Sequence, residues 1–355
     1  MRARTTLLTA LAGTMVLGAA SFAPAGGSAV TVSPPIASGL AGPLQFAVGS
    51  QGTLVVAQDD IATLTAIHGN TRKNLVSRGK NGEIAGVAIT DGAIVFTAGK
   101  GNEESITAST LEWRSAATGK TKVLANLLAY EQQHNPDHKY TYGFENLAPS
   151  CAKQLPPQLG PPTYRGLVDS HAYSVAAAHS GYFVADAGGN DIVEVSTSGA
   201  VRTVTVLPPE PAVVTSAGAR ANHLPQCTVG HTYRFESVPT DVEMGNDGYL
   251  YASTLPGGPE DASLGARGGV WRINPNTGAA TQIATGLLGG ANVAVAPDGT
   301  VYATELFGNR VDRIENGHPV EIASLPAPSG LEYAHGKLYV SYDVMGSGKI
   351  ATIAI

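Results

Sequence analysis

The sequence predicts an all-β fold, a six-bladed β-propeller, on three observations. They are a composition rich in turn formers, a hairpin unit that recurs six times, and a last unit that needs the start of the chain to complete it. Hydrophobic residues make up 43% of the 355 and charged residues only 14%, with 43 Gly and 22 Pro. Such a chain has much core and many tight turns, which favours short strands over helix bundles.

The unit is clearest in PTDVEMGNDGYLYAS (residues 239–253) and GANVAVAPDGTVYATELFGNRVDRI (290–314). Each holds a short alternating run, a turn closing on Gly, a second run ending near a small or acidic residue, then a third strand. Fainter copies begin at Pro43, Ile84, Ala172 and Pro328. The turn glycines are Gly52, Gly92, Gly181, Gly248, Gly299 and Gly336, at steps of 40, 89, 67, 51 and 37 residues. A unit of about 40 residues, with extra sequence after the second and third copies, is the mark of four-stranded blades stacked around an axis. The Asp-Gly-like steps suit two-residue hairpins, where φ > 0 is tolerated. The stretch YFVADAGGNDIVEV (182–195) accordingly reads as strand two, a turn at 188–191, and strand three of the third blade. GKIATIAI supplies only a third strand before Ile355, so VTVSPPIASGL (30–40) is expected to add the missing strand and close the ring.

The first 25 residues read as an export signal: Arg2 and Arg4, an apolar run from Leu7 to Phe22, and small residues up to Ala25. The mature domain is then a single propeller over 30–355, secreted and expected to be monomeric. No other stretch approaches the roughly 18 apolar residues of a spanning helix. Net charge is −6, or −8 without Arg2 and Arg4, with no dense basic patch, which argues against nucleic acid and anionic lipid as partners.

The insertions are expected at residues 126–168 and 208–238. The first begins with NLLAYEQQHNPD, a short helix stopped before Pro136. Each joins the outer strand of one blade to the inner strand of the next, so both should lie on one face, over the channel mouth. Cys151 is in the first and Cys227 in the second. An exported protein can keep that pair as a disulfide, two free buried thiols being the alternative.

Aligning the units puts Gln45, Gly86, Ser174, Asp241, Asn292 and Gly330 at one inner-strand position. Gln45, Ser174, Asp241, Asn292, His171 and Asp186 are therefore the candidate ligand-binding residues of the channel mouth. Asp241 and Asn292, with Asp169 and Glu83 as helpers, offer oxygens to a divalent cation such as calcium, though they could equally bond backbone and water. His134, His138, His223 and His231 lie in the insertions, but HNPDH carries Pro136 and is not the helical pair of a zinc protease. No G-x-S-x-G stretch appears, and no catalytic residue or resident cofactor is assigned.

YEQQHNPD (130–137), DSHAYSVAAAHSGYFVADAGGNDIVEV (169–195), VTVLPP (204–209) and PTDVEMGNDGYLY (239–251) together resemble the ScyD/ScyE family of exported propellers. The resemblance covers nearly the whole mature chain and implies an NHL- or gluconolactonase-like propeller. It departs from the family at His171-Ala172-Tyr173, where the family has Asn-Pro-Tyr, and in the cysteine-bearing insertions. The family's association with scytonemin clusters is not carried over. The residues favour a non-catalytic binder of a small molecule, glycan or protein at the loop-covered face. The alternatives are a metal-assisted lactonase-like hydrolase using the channel mouth and a cell-envelope scaffold.

Overall fold

The computed structural model describes residues 30–102 and 105–355, so the expected export signal lies outside the described residues. Its 28 strands form seven four-stranded antiparallel sheets. Sheet I is Gln45–Val48, Leu54–Gln58, Thr63–His68 and Thr71–Ser77; sheet II is Gly82–Thr90, Ala93–Asn102, Ser105–Ser115 and Thr121–Asn126. Sheet III is Ala172–Ala178, Gly181–Asp186, Asp191–Ser196 and Val201–Val206; sheet IV is Pro239–Met244, Leu250–Thr254, Gly268–Ile273 and Ala280–Leu287. Sheet V is Gly290–Val295, Val301–Glu305, Arg310–Glu315 and His318–Ser324. Sheet VI is Leu331–Ala334, Lys337–Tyr342 and Gly348–Ile353, completed by Ala37–Leu40, which pairs with Gly348–Ile353. The expected N-terminal strand is thus present, shortened to four residues after Pro34 and Pro35.

Second strands such as Leu54–Gln58 and Gly181–Asp186 are buried throughout. Each is covered on both faces, which selects near-continuous apolar runs over strict alternation. Outer strands such as Thr71–Ser77 are mostly exposed. Separate apolar clusters fill the interfaces between successive sheets. Val95 and Leu111 meet Val175, Val184 and Val193; Phe183 and Ile192 meet Val242 and Leu250; Phe46 and Val56 meet Tyr339 and Ile350. The first strands of sheets I to VI are neighbours in sequence order, and Leu331–Ala334 lies back beside Gln45–Val48. Burying one such Leu, Ile, Val or Phe contributes about 1.5–3 kcal/mol, so the sheets depend on one another for stability.

Five of the six turn glycines have φ between 73° and 88°; Gln51 and His335 share positive φ with Gly52 and Gly336, as a type I′ turn demands, whereas Gly248 and Gly299 close three-residue loops by donating to the Gly245 and Ala296 carbonyls. Gly181 differs: it does not have positive φ, and a Cβ there would stand 2.4 Å from the Val195 carbonyl oxygen. Close strand approach, rather than turn conformation, selects that glycine.

The seventh sheet was not expected. It is built jointly by the insertions in the order Thr163–Arg165, Thr141–Phe144, Thr232–Phe235, Glu210–Val213. We call it the cap sheet. Cys151 and Cys227 are bonded, with Cα atoms 5.8 Å apart, and tie the two insertions together. The expected helix is Leu127–His134. The Asn126 side chain caps it by accepting from the Ala129 N–H, and Asn135 at φ 36° ends it before Pro136. The cap docks on sheet IV through Glu210, which accepts from Gln282 at 3.0 Å, and through Phe235, which lies under the Arg267 guanidinium at 4.1 Å. It docks on sheet III through Asp137, which accepts from Asn190 at 3.0 Å. Among the described residues no helix is long and apolar enough to cross a membrane.

Candidate functional site

The inner-strand residues singled out in the sequence do come together, but not at a mouth. Gln45, Ser174, Asp241 and Asn292 are 1–6% exposed. Ser174 Oγ donates to Asp241 Oδ1 at 2.6 Å and accepts from the Val242 N–H; the Val293 N–H donates to Asp241 Oδ2 at 3.0 Å. Gln45 Nε2 donates to the Thr240 carbonyl at 3.2 Å and, more weakly, to Asp241. Asn292 donates from Nδ2 to the Leu44 carbonyl at 3.5 Å. Burial raises the Asp241 pKa and these hydrogen bonds pull it back, to about 6. The glycines of the layer are steric: a Cβ on Gly86 would strike Ser174, and one on Gly330 would strike the Phe46 ring. Leu44, Ala85, Tyr173, Val238, Ala291 and Val344 form an apolar cluster at the starts of the inner strands, toward the insertions. The layer therefore joins four sheets from inside the molecule. Among the described residues, no three His, Cys, Asp or Glu side chains are placed to hold a metal ion.

His171 sits at the start of sheet III. Its Nε2 is 2.5 Å from Glu83 Oε1, with the two side chains 24% and 19% exposed, so this pair reaches solvent. Burial would lower the His171 pKa, but the charge and hydrogen bond of Glu83, with the charges of Asp59 and Asp186, raise it to about 9. Asp59 is raised by burial and by Glu83. Asp59 Oδ1 and the Tyr173 hydroxyl are buried with no protein partner. Three sheets thus contribute to one polar cluster: Asp59 from sheet I, Glu83 from sheet II, His171 and Tyr173 from sheet III.

Asp186 is engaged in holding its own turn. It accepts from Ser170 Oγ (2.5 Å) and from the N–H groups of His171 (2.6 Å), Gly188 (3.1 Å) and Gly189 (3.2 Å). Gln58 in sheet I and Glu305 in sheet V also end second strands, and they accept from the Ala41 and Leu288 N–H groups. Each is the last residue of its second strand, a shared position that aligning the second strands would have shown. Asp186 therefore positions His171 by gripping its backbone.

Sequence reading missed the residues the cap brings in. Tyr142, Phe144, Tyr164, Tyr233 and Phe235 share one face of the cap sheet by strand register. Tyr164 and Tyr233 are half-buried near Glu236, whose pKa burial drives to about 8. Next to them lies a nest of carboxyls. Glu131 is 3% exposed and Asp137 is fully buried; Glu131 Oε1 and Asp137 Oδ1 have no partner, while Asp137 Oδ2 accepts from Tyr142 and Asn190. Burial and then the charges of Asp186, Asp137 and Asp169 raise Glu131 to about 8; burial raises Asp137 to about 6. These acids bind protons more tightly in the folded chain than in the unfolded one. They cost the fold little below about pH 4 and more as pH rises through 6 and 8. Unfolding free energy should therefore fall by roughly 3–5 kcal/mol between pH 5 and pH 8, most of it from Glu131, and Glu131→Gln should flatten that slope. Urea titrations at a series of pH values test this, and a wild-type slope that Glu131→Gln leaves unchanged would refute it.

No protein-family model matches the chain, and no curated protein matches its sequence. In fold it is similar to a glucose dehydrogenase crystal structure (TM-score 0.54, 11% identity, 92% of this chain and 99% of that one). It is also similar to the PQQ-bound aldose sugar dehydrogenase of Streptomyces coelicolor (TM-score 0.52, 14% identity, 93% and 99%). A third likeness is to virginiamycin B lyase from Staphylococcus aureus (TM-score 0.51, 14% identity, 92% and 99%). Identities this low speak to fold alone. The chain is an all-β protein of four-stranded antiparallel sheets with β-propeller neighbours.

Proposed function

We propose that the protein is an exported, non-catalytic binder of a small molecule, held on the insertion side of a single six-bladed propeller over residues 30–355. The ring is supported by the cyclic order of the inner strands and by Ala37–Leu40 completing the last sheet. Export is supported by the Cys151–Cys227 disulfide together with the leader-like N-terminal sequence. Membership of the ScyD/ScyE family is part of this proposal, supported by the quoted stretches. One observation carries the binding role: the partly exposed His171–Glu83 pair stands beside Asp59 Oδ1 and the Tyr173 hydroxyl, polar atoms without protein partners. Buried polar groups in that state call for a partner, and a ligand's hydroxyl or amine is one.

Thermal-shift screening of the mature chain against small molecules and oligosaccharides, with pull-down from envelope extracts for a protein ligand, tests the role. A stabilising ligand whose effect disappears in folded His171→Ala is the expected result. A ligand equally effective on His171→Ala would place binding elsewhere.

The lactonase-like alternative has its motivation in Asp241 and Asn292. A calcium ion there would have to displace the hydrogen bonds from Ser174, Gln45 and the Val293 N–H. Calcium-dependent turnover on a lactone panel, lost in Asp241→Asn, would favour it.

A further inference from the structure

We propose that the ligand of the insertion-side site carries a positive charge, as an organic ammonium group; this rests on the reading that the site binds a small molecule. The charged groups gathered there are nearly all acidic and come from separate segments. They are Asp59 and Asp60 after the second strand of sheet I, Glu83 at the start of sheet II, Asp169 and Asp186 around His171, and Glu236 at the end of a cap strand. Arg or Lys neutralises eight acidic side chains elsewhere, such as Glu112 by Arg78 and Glu305 by Arg310. Among the described residues, no Lys or Arg ion pair reaches Asp59, Asp60, Asp169, Asp186 or Glu236, and His171 is the single cation paired with Glu83. Acids held up by burial and by one another's charge, as Asp59 is by Glu83 and Asp60, ionise most readily with a cation among them, so the site favours cations over anions.

The Tyr173 phenol is a second, independent pointer to a ligand. Tyr173 is 3% exposed, its hydroxyl has no partner, and the charges that bear on it are those of Asp59, Glu83 and Asp60. A phenol can accept a hydrogen bond as well as donate one, and Asp59 Oδ1 can only accept while ionised. An ammonium N–H group would serve both. On the cap, Tyr164 and Tyr233 are half-buried rings near Glu236, a carboxyl that feels the charge of Asp169 two residues before His171, and this aromatic-plus-carboxylate pairing suits a cation over a ring face. A bare metal ion fits less well, because no three His, Cys, Asp or Glu side chains converge to hold one among the described residues. An organic cation can meet dispersed carboxylates through several N–H and C–H groups at once. Neutral polyols would satisfy the hydrogen bonds and leave the charge uncompensated.

Calorimetric titration of the mature chain with choline, putrescine, myo-inositol and gluconate separates the possibilities. Putrescine should bind, more weakly at higher salt, and lose about tenfold in affinity in Glu83→Gln and in Glu236→Gln, which is about 1.4 kcal/mol; choline, whose nitrogen has no N–H group, should bind more weakly than putrescine. Both substitutions keep side-chain size, and melting curves check that both variants fold. If inositol or gluconate binds in a His171-dependent way and neither ammonium probe does, the charge inference falls while the binding site stands. If no probe binds, the charge inference fails, and screening failure with all other small molecules removes the site as well. Calcium that binds and displaces the ammonium probes overturns the inference in favour of a metal ion.

Discussion

Asp241→Ala is expected to lower the unfolding free energy by about 3–5 kcal/mol, read as a shift in the urea midpoint. The substitution removes an acceptor shared by Ser174 from sheet III, Gln45 from sheet I and the Val293 N–H from sheet V. Three donors would be left in a layer where the residues are 1–6% exposed, too deep for solvent to replace the lost partner easily. Asp241→Asn should cost less: its carbonyl oxygen can still accept from Ser174, but its NH₂ then faces the Val293 N–H. The same pair of variants separates structural from metal-binding roles. In the role argued above, calcium and chelators leave the midpoint of the wild type unchanged and both variants are destabilised in either condition. A loss below about 1 kcal/mol for Asp241→Ala would show that the layer does not join the sheets as described.

Replacing Cys151 and Cys227 together by Ser should remove about 4 kcal/mol, the chain-entropy value for a bridge spanning 76 residues. The melting temperature should fall by about 10 °C. The loss is expected to be concentrated in the cap, because the bond joins the two insertions and no strand of sheets I to VI. Hydrogen exchange should accelerate in Thr141–Phe144 and Thr232–Phe235, whose mutual pairing is short and has no strand beyond the cap to support it. Unchanged exchange in those two strands would show that docking on Gln282 and Arg267 suffices to hold the cap. Ligand binding measured in parallel would report whether Tyr164, Tyr233 and Glu236 must be held in place for recognition.

Legibility in the sequence follows the range of the interaction. The hairpin of YFVADAGGNDIVEV lies where its alternating runs and Asn190 at φ 54° put it, and the helix before Pro136 ends where proline requires. The site residues fared differently. Gln45, Ser174, Asp241 and Asn292 do share one layer, as the unit alignment implied, yet they lie inside the molecule because the apolar cluster around Leu44 and Tyr173 covers their insertion side. Asp186 reads as an exposed acid after a strand until its four donors are seen to be its own turn, Ser170 and His171. Glu131 and Asp137 carry no sequence mark of burial, since acids in a polar loop are ordinarily solvated.

By itself the sequence determined the strand content, the repeating unit and the need for an N-terminal strand beside GKIATIAI. Alternation, turn glycines and prolines act within a few residues, so they can be read from neighbours in the chain. Tertiary structure alone decided that two insertions about 70 residues apart share a sheet. It also decided that Asp59, Glu83, His171 and Tyr173 meet, and that Asp241 is buried. Those outcomes depend on which distant segments pack together, and packing, rather than local pattern, sets burial, charge balance and the partners left for a ligand.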